Sequence, residues 1–277
     1  MTPATRKTKT LVFGATGRIG GALIRRLNQL NMPATALPRH AFDRCISTNA
    51  AHDVLRACNL RENDRVIIAT GEVDPNADPA KIHRVNTAVP ERIANAAISL
   101  GAGPVTLGTV METRIPAHGH NRYIASKADL GAMSQGRWLH LQLHTIYGGP
   151  PPHRAMFLGQ MLESLVSGTR FSMTSGLQQR EYHHLDDEAD AILRASDMGG
   201  HWPTELASGK KITLADLATD VFRFFGREDL LGINDLEPPK EEVYAPVDIG
   251  SPVMFYNYRN ARPAVAFWLS AYVRRAC

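Results

Sequence analysis

Thr10-Leu11-Val12-Phe13-Gly14-Ala15-Thr16-Gly17-Arg18-Ile19-Gly20 is the stretch on which the reading of this chain turns. Four residues without a turn former make a short buried strand. Three glycines follow at a spacing of three, and Ile19, Leu23, Ile24 and Leu27 then fall on one face of a helix. Gly14 permits a tight turn, Gly17 lets the backbone approach a pyrophosphate, and Gly20 lets helix and strand pack closely. The helix start beyond them offers unpaired N–H groups and the positive end of its dipole, a setting that favours a phosphate. Thr16, Arg18 and Ile19 join the three glycines as expected cofactor contacts.

The pattern continues outward in the same style. Ala34–Leu37 reads as a second strand, 44–47 as a weak third, 65–69 as a strong fourth, 104–108 as a fifth and 140–144 as a sixth. Helical periodicity lies between them, around Val54, Leu55, Cys58 and Leu60, then over 86–100 and 123–135. Strands alternating with helices imply right-handed βαβ units, hence an α/β fold with a Rossmann-type doubly wound parallel sheet. After Tyr147 the pattern breaks at Gly148-Gly149-Pro150-Pro151-Pro152. Helices are expected at 154–167, 186–197 and 213–226, strands near 170–173 and 180–184, a loop over 235–246, and an amphipathic helix in the last ~20 residues. Residues 1–147, with about 186–208, are read as the dinucleotide-binding domain. Residues 148–185 and 209–277 are read as a small C-terminal substrate-binding portion.

Bulk properties narrow the function. The chain has 277 residues, 44% hydrophobic and 21% charged, with a formal net charge of +4. The excess positive charge is scattered apart from Arg6-Lys7-Thr8-Lys9, so a nucleic-acid partner is not expected. Cys45, Cys58 and Cys277 have no ligand spacing and read as reduced thiols of a cytoplasmic protein. No stretch approaches the ~20 apolar residues of a membrane span, so no membrane partner is expected.

Two further features carry chemistry. After the second strand, where an acid would bind ribose hydroxyls, the chain has Pro38-Arg39-His40. Arg39 is suited to a 2′-phosphate, with Arg18 contributing from the turn, which predicts NADP(H) with NAD as the alternative. Tyr123-Ile124-Ala125-Ser126-Lys127 sets Tyr and Lys four residues apart, on one helical face. A tyrosine hydroxyl titrates near about 10, and a neighbouring ammonium is expected to lower that value. A hydroxyl from the fifth strand can hold a substrate oxygen while Tyr123 exchanges a proton and hydride moves to or from a nicotinamide.

With these motifs in place, residues 8–195 resemble the extended short-chain dehydrogenase/reductase superfamily, the branch of NAD-dependent epimerases, dehydratases and reductases of nucleotide sugars. The resemblance rests on GATGRIG at 14–20, Ala69-Thr70-Gly71, Asn86, YIASK at 123–127, and Gln179-Arg180-Glu181-Tyr182-His183-His184-Leu185-Asp186-Asp187, which is similar to the branch's Q-R-D-F-V-x-V-D-D. It implies that Ala69, Thr70, Gly71, Asn86, Tyr123 and Lys127 contact the cofactor, and that Arg180 binds a nucleotide diphosphate. It implies Thr109, Tyr123 and Lys127 as the catalytic set, with Thr106 in reserve for the hydroxyl. Thr109, Thr145, Phe157 and Phe171 are then substrate contacts, the two rings flanking a nucleobase beside Met156, although core positions suit those rings as well. A homodimer through the helices carrying Asn86 and Tyr123 is implied in the same way.

The chain departs from that pattern in places. The Ser-Ser run and the dehydratase Thr-Asp-Glu are missing from 106–112, Ser47-Thr48 replaces the usual acid after the third strand, and Gln142 and Thr145 stand for the sixth-strand Arg and Asn. No metal is expected, because His183 and His184 point opposite ways on a strand. The expected function is a ketoreductase that uses NADPH on a nucleotide-activated 4-keto sugar. A nucleotide-sugar epimerase with tightly bound NAD is the alternative, ahead of a cofactor-sensing regulator or a reductase of non-sugar ketones.

Overall fold

The computed structural model describes residues 7–74, 77–113, 121–237 and 252–276. In chain order the elements are β1 (Thr10–Phe13), α1 (Arg18–Gln29), β2 (Ala34–Leu37), α2 (Arg39–Asp43), α3 (Thr48–Ala57), β3 (Arg65–Ile68), α4 (Pro79–His83), α5 (Val89–Ser99), β4 (Gly103–Thr109), α6 (Arg122–Ser134) and β5 (Leu139–Leu143). They continue as β6 (Thr145–Tyr147), α7 (Phe157–Ser167), β7 (Phe171–Met173), β8 (Gln179–Arg180), β9 (Tyr182–His184), α8 (Leu185–Met198), β10 (Pro203–Ala207), β11 (Ile212–Thr213), α9 (Leu214–Phe224), β12 (Leu231–Ile233), β13 (Val253–Phe255) and α10 (Ala261–Ala276). The loop expected over 235–246 lies, from residue 238 on, outside the described residues.

Two compact units form. The first draws on Met1–Leu143, Ala189–Leu206 and Ile249–Met254. Its sheet runs β13-β10-β5-β4-β3-β1-β2. Neighbours from β2 to β5, and β10 beside β5, are parallel. The strands β1 and β3 are buried throughout, which is why Leu11–Phe13 and Val66–Ile68 read as apolar runs. From β1 the chain moves to β2 on one side, then returns to β3 on the other. The carboxyl ends of β1 and β3 therefore flank a topological switch point, where open α/β sheets bind ligands.

The third strand expected at 44–47 does not form. Ser47 instead caps α3, its hydroxyl accepting from Ala50 N at 3.1 Å. Cys45 is buried with its thiol on the Ala41 carbonyl, while Ile46 points outward. A cap satisfies an otherwise orphaned helix donor and outcompetes a four-residue edge strand. The expected fourth, fifth and sixth strands are thus β3, β4 and β5. The helix expected at 86–100 also differs: helical backbone begins at Pro79 and widens into a π turn over Arg84–Ala88 before α5. Pro90 is the cause. It has no N–H to give the Asn86 carbonyl and its ring crowds that oxygen, so the turn before it opens.

The second unit draws on His144–Glu188, Ala207–Asp248 and Phe255–Cys277. It pairs β6 with β9 and β7 with β12 in parallel, and β8 with β11 antiparallel. Its core joins Leu158, Met161 and Leu165 of α7 to Leu217, Val221 and Phe222 of α9 and Val265 and Leu269 of α10.

The glycine turn fixes how closely α1 meets the sheet. A Cβ on Gly20 would lie 2.2 Å from the Gly14 carbonyl oxygen and 2.7 Å from its carbon, both backbone atoms that cannot swing away. Gly20→Ala is therefore expected to destabilise the protein by about 3 kcal/mol, the upper end of overpacking costs. Urea unfolding would read this, and a variant as stable as the parent would refute the close approach.

Candidate active site

The turn after β1 is built as a cradle. Gly14 has φ +77°, and a Cβ there would stand 2.6 Å from the Ala69 carbonyl oxygen beyond β3. Gly17 N donates to the Gly14 carbonyl at 2.9 Å, which closes the turn. Gly17 then caps α1 without a side chain, and no acid occupies the helix's first turn. The opening N–H groups of α1 are left for an anion. A cleft of about 160 Å³ lies here, lined by Gly14, Thr16, Gly17, Arg39, Ala69, Thr70 and Gly71 of the expected cofactor set. Leu37, Phe42 and Val85 complete the lining and were not anticipated. The Thr70 hydroxyl is buried in this wall without a hydrogen-bond partner. A cradle that excludes Cβ atoms and an orphaned hydroxyl both fit a dinucleotide.

Arg39 reaches the cleft across the face of Phe42, its guanidinium 5.9 Å from the ring centre. Its Nε also donates to both carboxylate oxygens of Asp43, at 3.2 and 3.1 Å. Arg84 contacts the same carboxylate at 3.2 Å. Arg18 and Ile19 occupy the first turn of α1.

Asn86 is placed as a staple. Its amide group donates to the Glu72 carbonyl and to Ser126 Oγ, both at 3.0 Å, and its oxygen accepts from Glu72 N at 2.7 Å. The side chain thereby ties the segment after β3 to α6. Thr87 adds a bond to the Ser126 carbonyl at 2.8 Å.

Tyr123 and Lys127 lie one turn apart on α6. Lys127 is buried, and its Nζ donates to the carbonyls of Leu107 at 2.9 Å and Thr70 at 3.4 Å. Burial pulls the ammonium down to about 8, with the charge of Glu112 opposing. Burial pushes the Tyr123 hydroxyl up to about 12, and Glu112 adds to it. The lowering expected from the neighbouring ammonium is therefore overturned: desolvation of the phenolate and a nearby carboxylate outweigh it. Thr109 sits at the end of β4, its N–H held by Glu112 Oε1 and its hydroxyl accepting from Met111 N at 3.3 Å. The reserve residue Thr106 is enclosed, bonded to Trp138 Nε1 and His140 Nδ1, and is not available to a substrate. Glu112 and His140 are the residues sequence reasoning missed here. The signal was a lone carboxylate three positions after Thr109 and polar residues at alternate positions of a buried strand.

A family model for the NAD dependent epimerase/dehydratase family matches residues 10–203. The chain belongs to this family. Comparison with curated proteins yields no match. Among solved structures, the fold is similar to a dTDP-4-dehydrorhamnose reductase from Clostridium acetobutylicum, at TM-score 0.73 and 15% identity over 96% of this chain and 99% of that one. It is similar to the UDP-glucose 4-epimerase of Thermotoga maritima, with UDP-glucose, at TM-score 0.74 and 14% identity over 97% and 99%. A GDP-L-fucose synthetase from Naegleria fowleri gives TM-score 0.73 and 14% identity over 98% and 95%.

Within this epimerase/dehydratase member, the second unit holds Thr145, Phe157, Phe171 and Arg180 of the expected substrate residues, and the first holds Thr109. Thr145 lies on β6 opposite Tyr182 of β9. Arg180 is partly exposed on β8, its Nη1 donating to the Gln179 carbonyl at 2.8 Å. Asp187 is engaged by Arg259, at 2.9 and 2.6 Å. Phe171 is a core residue, stacked on Phe222 with ring centres 5.5 Å apart, and Phe157 meets it edge-on at 5.5 Å. Phe171's enclosed ring offers no face to a nucleobase, so that expected contact is withdrawn. His183 is buried and bonded to Glu188 at 2.8 Å and Glu181 at 3.2 Å, while His184 turns to Tyr147. Among the described residues no group of three or more His, Cys, Asp or Glu has the geometry to hold a metal. No helix there is long and apolar enough to cross a membrane.

Burial alone would raise the Glu181 carboxyl, but hydrogen bonds from His183 and Ser208 and the charge of His144 win, and hold it at about 2. The fold thus prefers the anion. That stabilisation is complete above pH 4.5 and is lost as pH falls towards about 2. Unfolding free energies from urea titrations down this range are expected to fall, by on the order of 2–3 kcal/mol for this group. Glu181→Gln should flatten the curve, and an equally steep curve in that variant would count against the assignment.

Proposed function

We propose that the chain is a ketoreductase that uses NADPH to reduce a nucleotide-activated 4-keto sugar. The observation that carries this reading is the reach of Lys127 to the Thr70 carbonyl, which brings α6 and the cofactor cleft to one point. When bound, the nicotinamide supplies hydride to the carbonyl carbon. Tyr123 gives its proton to the carbonyl oxygen, and Thr109 holds that oxygen through its hydroxyl. Lys127 orients the cofactor's ribose and restores the tyrosine's proton through solvent. Gly14, Thr16, Gly17, Arg18, Ile19, Gly20, Ala69, Thr70 and Gly71 cradle the dinucleotide, and Asn86 fixes the wall from behind. On the second unit, Thr145, Phe157 and Arg180 are the residues proposed as nucleotide-sugar contacts.

A tyrosine pushed up to about 12 stays a phenol at neutral pH, the form in which a reduction starts. The names of two fold neighbours, a dTDP-4-dehydrorhamnose reductase and a GDP-L-fucose synthetase, agree with the substrate class. The free thiols of Cys45 and Cys58 agree with a cytoplasmic setting.

NADPH absorbance followed with a panel of nucleotide 4-keto sugars tests the proposal. Consumption on one of them supports it. Tightly bound NAD released on denaturation, with no net consumption, assigns an epimerase instead. Tyr123→Phe should reduce turnover by about 10²-fold or more with cofactor affinity kept, and full turnover would remove Tyr123 from the mechanism. Arg39→Ala should weaken NADPH by about tenfold more than NADH, the loss of about 1.4 kcal/mol of phosphate contact. Equal weakening, measured by nucleotide fluorescence, would sink the 2′-phosphate role.

A further inference from the structure

Two buried histidines have different needs. In the first unit, His140 turns Nδ1 to Thr106 Oγ1 at 2.8 Å and Nε2 to Glu112 Oε2 at 3.0 Å, contacts that a neutral ring satisfies with one N–H. In the second unit, both nitrogens of His183 face carboxyl oxygens, Nδ1 that of Glu188 at 2.8 Å and Nε2 that of Glu181 at 3.2 Å. Each contact needs a hydrogen between its two atoms. Glu181 does not supply one. Its Oε2 already accepts from Ser208 N at 2.6 Å and Ser208 Oγ at 2.7 Å, and the carboxyl is held at about 2. Nε2 therefore donates. A neutral imidazole then has no second N–H for Nδ1, and a bare lone pair would meet a carboxyl oxygen in a buried site. An imidazolium, with two N–H groups, satisfies both contacts.

His183, Glu181 and Glu188 are all buried. The Tyr258 ring lies flat on His183, the centres 3.7 Å and the planes 16° apart, a π face suited to a cation. The titratable groups facing His183 among the described residues are Glu181 on the link between β8 and β9, Glu188 of α8, His144 ahead of β6 and Tyr258 ahead of α10. The His144 ring centre is 5.0 Å from that of His183, and its Nε2 is 3.9 Å from Glu181 Oε2. Burial opposes a charge on His183, but hydrogen bonds to Glu181 and Glu188 outweigh it and raise the ring above its ordinary value. Burial pushes the Tyr258 hydroxyl upward, away from the histidine range.

The second unit is assembled from three stretches of chain, His144–Glu188, Ala207–Asp248 and Phe255–Cys277. The row of contacts touches all three. Glu181, His183 and Glu188 belong to the first, Ser208 to the second and Tyr258 to the third. Glu181 also carries β6, its carbonyl accepting from Thr145 N at 3.2 Å. We propose that His183 is a buried imidazolium that clasps the three stretches of the second unit together, and that this clasp opens on the alkaline side as the ring loses its proton. The proposal goes beyond the ketoreductase reading and does not depend on it. A group raised on folding adds stability that is complete below its unfolded value, near 6.5 for histidine, and is lost as pH rises through its folded value.

The test is ¹⁵N NMR of the full chain, with the His183 ring assigned through bonds from its own backbone. Near pH 6.5 both ring nitrogens should show imidazolium shifts, and the ring should titrate above a free histidine. Urea unfolding supplies the second measurement. Between that pH and the His183 midpoint, this group should raise the unfolding constant about tenfold per pH unit. Glu188→Gln keeps an oxygen and adds an N–H donor for Nδ1, so a neutral ring is then fully bonded. In this variant the midpoint should fall and the alkaline loss of stability should shrink. A parent His183 that is neutral near pH 6.5, with the proton on Glu188 or absent, overturns the proposal. So does a folded Glu188→Gln whose alkaline loss is as steep as the parent's. Should that variant fail to fold, the parent decides alone. An imidazolium whose midpoint coincides with the loss of stability supports the clasp, and an imidazolium with no such loss overturns it. Neither measurement needs cofactor or substrate, so a protein that reduces no 4-keto sugar would retire the ketoreductase reading and leave the clasp standing.

Discussion

The Gly14 carbonyl occupies the space that a side chain on residue 20 would need, and much of the first unit depends on that contact. With no Cβ at either position, α1 starts directly against the end of β1, and its first N–H groups face the gap between β1 and β3. The strand order 2-1-3 opens that gap, because the chain leaves β1 in one direction and returns on the other side. A bulkier residue 20 would lift the helix from the turn and carry the anion-binding end away from the sheet. Helix dipole, glycine backbone and switch point coincide there because one carbonyl is allowed to approach a helix closely.

A second constraint connects this cleft to the chemistry. Pro90 cannot donate to the Asn86 carbonyl, and the helix before it widens over Arg84–Ala88. That widened turn supplies Val85 to the cleft and buries the Asn86 side chain, which clasps the Glu72 backbone and Ser126 of α6. The register of the Tyr/Lys helix is therefore set by a polar clasp rather than by apolar packing alone. Such π turns often accompany functional sites because they redirect a side chain without ending the helix.

These relations explain what could be read in the sequence. The glycine turn and the Tyr123–Lys127 spacing are local, so periodicity alone exposed them. The alternation of strands and helices gave the parallel sheet because each element carries its own signature. The strand expected at 44–47 failed because a capping serine and a buried cysteine gave those residues better partners than an edge pairing. Phe171 looked like either a ligand platform or a core residue, and only its stack on Phe222 decided the matter. The Glu112–His140 pair was illegible for a different reason. It depends on the β4–β5 register, which sets Thr106 opposite His140 and Gly108 opposite Gln142, and no short window of sequence carries that alignment.

The charges of the centre can be followed one step further. Burial is the larger cause that separates the two groups of α6, with Tyr123 pushed towards 12 and Lys127 pulled towards 8. Such a pair has no preferred direction of proton transfer beyond that bias. The Glu112 carboxylate changes the balance. Its charge raises both groups, so a phenolate at Tyr123 is disfavoured by burial and by that charge together, while an ammonium at Lys127 is favoured by the charge and opposed by burial. The proton therefore stays on the phenol until a substrate oxygen accumulates negative charge and accepts it. Both directions of a hydride transfer meet this constraint, because giving a proton to a substrate oxygen and taking one from a hydroxyl each pass through the Tyr123 phenolate.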